Sequence, residues 1–175
     1  MTTAVENELL TRVGPGTPMG ELMREYWIPA AMSHELKADG DPMRLMLLGE
    51  KLVAFRDSEG RTGIFDHRCP HRRASFFFGR NEAGGIRCVY HGWKFSSSGE
   101  CVDLPSEPAD IPMKGRIRIR AYPTVERGGV VWTYMGPPDK RPPLPEWEFA
   151  TVPDDQRFVS KRIQELEAMV GGKNA

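Results

Sequence analysis

Two short pairs of cysteine and histidine constrain this chain more than anything else in it. They lie in RCPHRRASFFFGRNEAGGIRCVYHGW, from Arg68 to Trp93. One residue separates Cys69 from His71, two separate Cys88 from His91, and sixteen lie between His71 and Cys88. Thiolates and imidazoles both bind borderline transition metals, so this donor set admits zinc, iron or an iron–sulfur centre. A common zinc-finger pattern has two cysteines first and two histidines later, on a hairpin and a helix. Here each pair runs Cys then His, inside a Gly- or Pro-containing turn between strands. Two equivalent loops of this kind can clamp a compact cluster from opposite sides. One iron would take Cys69 and Cys88, the other His71 and His91. Such unequal ligation localises an accepted electron on the histidine-bound iron and lifts the potential above that of an all-cysteine centre. A mononuclear zinc site and four unrelated side chains remain open at this point.

The 24 basic and 24 acidic residues balance, which gives no general signal for nucleic acid or an anionic membrane. MTTAVENELL lacks a basic region followed by an apolar run, and no apolar stretch is long enough to cross a bilayer. A cytoplasmic location is the expectation. Three cysteines form no obvious disulfide framework; Cys101, alone in GECVDLP, reads as a small packed side chain.

The pattern along the chain is mainly β. VGPGTPMG is an ordered turn, after which Thr17 or Pro18 introduces a short helix through GELMREYW that Pro29 stops. His34 reads as a surface or capping residue. PMRLMLLGEKLVAFRDSEGRTGIFD predicts successive antiparallel hairpins, turning at Gly49-Glu50 and Ser58-Glu59-Gly60. GIRCVYHGWKFSSSGECVDL repeats the theme, with its turn at Ser96 to Gly99. GRIRIRAYPTVERGGVVWTYMG supplies two more strands, with Arg116, Arg118 and Arg120 alternating as the wet face of a sheet. The prolines after Gly136 favour an extended covering segment. Ile163, Leu166 and Met169 or Val170 have the spacing of a last helix, stopped at Gly171-Gly172. The expected division is residues 1–40 as an N-terminal extension, 41–135 as the cluster domain, and 136–175 as covering segment and connector helix.

CPHRRA followed by CVYHGWKF resembles the Rieske [2Fe–2S] signature. The surrounding text, from Leu9 to about Glu165, resembles the N-terminal Rieske domain of aromatic-ring-hydroxylating oxygenase large subunits, in the phthalate-dioxygenase-like branch. The resemblance implies antiparallel sheets with two cluster-binding loops and short terminal helices. It implies Cys69, His71, Cys88 and His91 as ligands of both cofactor and metal, with the histidines bound through Nδ1. Trp93 and Phe95 pack around the loops, Pro70 tightens the first, and Gly92 lets the second approach closely. Membrane-complex Rieske proteins add a cysteine to each loop and a nearby serine. Here Arg72, Arg73, Ala74, Gly92 and Trp93 occupy the comparable places, which implies a potential toward the low end of the Rieske range.

The implied function is one-electron transfer from a reductase or ferredoxin to a mononuclear iron of an oxygenase catalytic domain, in cis or in trans. That iron needs two histidines and a carboxylate. No histidine follows His91, and His34 and His67 do not match the family's iron ligands, so no complete oxygenase site is expected in this sequence. Arg68, Arg72, Arg73, Arg80 and Arg87 either keep the loops soluble or form a basic collar for an acidic donor. Homo-oligomerisation stays open. The alternative from a different class is a metal-stabilised interaction module with no redox role.

Overall fold

The first forty residues carry more regular structure than their turn signals predict. The computed structural model describes residues 3–108 and 113–162. Helix α1 (Ala4–Thr11) starts from a capping box: the Thr3 hydroxyl accepts the Glu6 N–H, and the Glu6 carboxylate accepts the Thr3 N–H. Helix α2 (Pro18–Arg24) begins as expected, with Thr17 as its cap and Pro18 in its first turn. It does not run to Pro29. Glu25 and Tyr26 close it with tightened bonds to Leu22 and Met23. Strand β1 (Trp27–Met32) takes over, because a long-range ladder to Val130–Tyr134 outweighs the local helical spacing. Pro29 sits in this edge strand, beside a register shift between Pro29 and Ala31, where a missing N–H is tolerated.

The two hairpins form from β2 (Met43–Leu47), β3 (Glu50–Arg56) and β4 (Thr62–Asp66), with the first turn one residue earlier than expected because Glu50 already pairs with Leu47. Leu48 and Gly49 make the first turn with φ of 45° and 77°, as a two-residue type I′ loop requires. Leu48 is buried, and its carbonyl accepts from Arg24 Nη2 at 3.2 Å. Strands β5 (Arg80–Glu82), β6 (Gly85–Arg87), β7 (Lys94–Phe95) and β8 (Cys101–Asp103) make another sheet in sequential order. β9 (Ala121–Tyr122) joins the edge of β4, giving the order β2-β3-β4-β9. β10 (Thr124–Arg127) and β11 (Val130–Tyr134) complete a sheet ordered β1-β11-β10.

The wet face over Arg116, Arg118 and Arg120 is present, since all three are exposed while Ile119 is buried. The long strand predicted there is not. Only an isolated bridge between Glu100 and Arg118 precedes β9. The proline-rich segment is a cover, with no strand between 141 and 147. Trp27 Nε1 donates to the Pro142 carbonyl at 2.9 Å, and Trp147 stacks on Trp132 at 4.3 Å. The helix predicted over Ile163 to Val170 lies outside the described residues.

Central β3 has both faces covered, so it lacks a wet side. Val53 and Phe55 enter one apolar cluster, Leu52 and Ala54 the other. The first cluster contains Cys69, Cys88, Trp93 and Phe95. Below them Phe55, Phe65, Phe76 and Phe95 form a chain of tilted ring contacts at 5.1, 5.2 and 5.6 Å, a geometry that aromatic quadrupoles favour. This gives the cysteine side of both loops a stiff, dry floor.

Candidate metal centre

The two loops that carry the Cys/His pairs have the same backbone frame. Loop 1 follows β4 and returns through a short 3-10 turn at Phe76–Phe78 to β5; loop 2 joins β6 to β7. Cys69 N–H donates to Ala74 O, and Arg73 N–H donates to Cys69 O, at 2.8 and 2.9 Å. In loop 2, Cys88 N–H donates to Trp93 O, and Gly92 N–H to Cys88 O, at 2.8 and 3.1 Å. The fourth residue after each cysteine is left-handed: Arg73 at φ 62° and Gly92 at φ 74°. Only glycine takes this conformation without strain, and at Gly92 a Cβ would also meet Pro105 at 2.8 Å.

All four predicted ligands line one narrow hollow, together with Arg72, Ala74, Tyr90 and Trp93. Cys69 and Cys88 are 1% and 3% exposed, whereas His71 and His91 are half-buried. The imidazole rings lie 4.5 Å apart. The two thiols face each other, which pushes the Cys69 thiol up and holds the Cys88 thiol down, while burial opposes ionisation of both. Two backbone N–H groups also face each sulfur, those of His71 and Arg72 at Cys69 and of Tyr90 and His91 at Cys88. Such donors favour thiolate.

The arrangement fits a dinuclear cluster better than a single ion. One ion would draw all four donors to a single point. The donors are instead paired, thiol to thiol and ring to ring, across the hollow. Trp93 from loop 2 stacks on His71 from loop 1, with centroids 4.4 Å apart and planes 4° from parallel. Its Nε1 donates to Ser106 Oγ at 3.0 Å. The sequence marks Trp93 as packing near the loops but carries no sign of this cross-loop stack, which depends on loop register.

The other sequence candidates separate cleanly. Cys101 is buried in β8 and absent from the hollow. His34 is exposed in a 3-10 turn. His67 also lies outside the hollow; burial and the adjoining Arg68 hold its pKa down. Arg80 and Arg87 pair with Glu82, and Arg87 also with Asp103. Arg68, Arg72 and Arg73 are exposed, and among the described residues they form no salt bridge.

A fold of small antiparallel sheets presenting two matched Cys/His loops defines an iron–sulfur domain of Rieske type. Residues 26–123 match the Rieske [2Fe-2S] domain family, and the chain belongs to that family. It is 56% identical over 176 residues to the 3-chlorobenzoate-3,4-dioxygenase oxygenase subunit of Comamonas testosteroni, covering 97% of this chain and 41% of the relative. It is 49% identical to the phthalate 4,5-dioxygenase oxygenase subunit of Pseudomonas putida, covering 84% of this chain and 34% of the relative. The chain therefore spans about two fifths or less of these relatives. Among solved structures, dicamba monooxygenase with non-heme iron and dicamba superposes with a TM-score of 0.64 at 29% identity, over 73% of this chain and 38% of that one. A reduced complex between oxygenase and ferredoxin in carbazole 1,9a-dioxygenase gives 0.59 at 32%, over 69% and 31%.

Proposed function

We propose that this chain carries single electrons through a [2Fe–2S] cluster held by Cys69 and Cys88 on one iron and His71 and His91 on the other. The observation that carries this reading is the pair of matched loops, which sets two buried thiols and two half-exposed imidazoles around one hollow. When bound, the cluster supplies a reversible one-electron couple whose reducing electron sits on the histidine side. The protein keeps the sulfur side dry and brings the imidazole edges toward the surface.

Within a longer assembly the chain serves as the Rieske portion of an aromatic-ring-hydroxylating oxygenase. It passes electrons to a mononuclear iron held by residues outside this sequence, in cis or in trans. Its donor is an acidic reductase or ferredoxin. Support comes from the exposed Arg68, Arg72 and Arg73 around loop 1, next to the exposed Val89 and Tyr90 of loop 2. A basic and apolar rim suits electrostatic steering followed by close contact. A cytoplasmic location fits the three free cysteines, and among the described residues no helix is long and apolar enough to cross a membrane.

The test is reconstitution followed by metal and sulfide analysis and a redox titration. Two irons and two acid-labile sulfides per chain, reduced and reoxidised without loss, are expected. A single zinc with no sulfide sinks the proposal. A cluster that cannot be reduced, yet is required for partner binding, favours the interaction-module alternative.

A further inference from the structure

The two cluster loops share a frame but not an outer support. Loop 1 is continued by the bridge between Arg68 and Ser75 and by the Phe76 N–H donating to His67 O at 2.8 Å. Loop 2 is gripped by a side chain instead. Arg87, the residue before Cys88, sends Nη1 to the Gly92 carbonyl at 2.6 Å. The same nitrogen reaches Asp103 Oδ2 at 2.9 Å, and Nε meets both oxygens of Glu82 at 3.0 Å. One guanidinium thus ties β6, β5 and β8 to the turn that follows His91. Burial opposes its charge, but the Asp103 and Glu82 carboxylates outweigh that and raise its pKa.

The carbonyl it holds occupies a singular place in the site. Gly92 stands between His91 and Trp93, and Trp93 is stacked on His71. A displacement at Gly92 therefore moves one histidine through the backbone and the other through the indole. Pro105 blocks one direction of escape, since it lies where a Gly92 side chain would start. Charge alone does not account for the arrangement, because Arg80 and Lys94 also pair with Glu82 yet the Gly92 carbonyl is held by Arg87. Direction does: a planar fork meets three acceptors at fixed angles, which a lysine ammonium cannot reproduce.

We infer that Arg87 is a positioning residue that sets the orientation of His91 directly and of His71 through Trp93. This rests on the four-ligand cluster proposed above. The Glu82 and Asp103 carboxylates serve to aim Arg87, and neither acts on the cluster itself. Loss of the fork changes the geometry at the histidine-bound iron while both cysteines remain in place.

The experiment compares wild type, Arg87→Lys and Asp103→Asn as full reconstituted chains. It reads iron content, the EPR spectrum of the reduced state, histidine 14N couplings by pulsed EPR, and cluster loss to a chelator. Arg87→Lys, which keeps the charge, is expected to shift the g anisotropy and both nitrogen couplings at full iron content. It should release the cluster about tenfold faster, the lower end of outer-shell effects. Asp103→Asn should shift the same couplings less. If Arg87→Lys fails to fold, Asp103→Asn decides alone: shifted couplings support the inference and wild-type couplings overturn it. A folded Arg87→Lys chain with wild-type couplings and release rate overturns it as well. A wild-type chain with no Rieske signal contradicts the cluster assignment instead, so the two failures are distinguishable.

Discussion

At the residue scale, the division of labour between sulfur and nitrogen is set by burial. Cys69 and Cys88 share an apolar cluster with Phe76, Ile86 and Phe95, while the imidazoles reach the rim. Histidine ligation is what separates a Rieske centre from an all-cysteine one. His91→Cys should accordingly drop the midpoint toward roughly −400 mV, the plant-type ferredoxin value, if the cluster is retained. A redox titration followed by EPR measures it, and an unchanged midpoint would remove His91 from the ligand set. All four ligand candidates were legible in the sequence because spacing in a short loop survives any tertiary context. The Trp93 stack and the Arg87 fork were not. Arg87 reads as one member of a basic run, and only the return of β8 brings Asp103 beside it.

At the element scale, charged groups add cross-links between elements beside the apolar clusters. Arg24 of α2 donates to Glu50 Oε1 at 2.8 Å, and Tyr122 of β9 donates to Oε2 at 2.6 Å. Arg120 bonds the same oxygen. Burial and the Glu50 carboxylate push the Tyr122 phenol up, keeping it a donor. The Arg24 and Glu50 side chains are 8% and 7% exposed, and removing one member of such a pair strands the other. Glu50→Ala should therefore destabilise the fold by about 3 kcal/mol in chemical denaturation; a change near zero would contradict the buried network. A second link spans two sheets. Arg56 of β3 grips Glu126 of β10 through two bonds at 2.8 and 2.9 Å and holds its carboxyl below the usual glutamate range. A depressed carboxyl contributes stability above its unfolded pKa of roughly 4.3 and loses it as pH falls through the lower folded value. The stability gap between wild type and Glu126→Gln should persist at neutral pH and shrink in acid below that range. A gap independent of pH would refute the link. The hairpins were legible from alternation and turn residues, whereas β1 was hidden: WIPAAM becomes a strand only because Val130–Tyr134 is there to pair with it.

At the scale of the whole molecule, the two cluster loops present one working face. Loop 1 contributes exposed Arg72 and Arg73, and loop 2 contributes Val89 and Tyr90. If an acidic donor docks there, reversing both arginines to glutamate should slow cluster reduction about tenfold at low salt, with the difference fading as salt rises. Stopped-flow reduction measures it, and a rate indifferent to charge and salt would place the donor elsewhere. The ligands of the metal centre are read out by pulsed EPR of the dithionite-reduced chain with nitrogen-labelled histidine. Two inequivalent, strongly coupled histidine nitrogens are expected on the reduced iron, both lost when His71 and His91 are replaced together. A reduced cluster with one coupled histidine nitrogen, or with none, would contradict this ligand set.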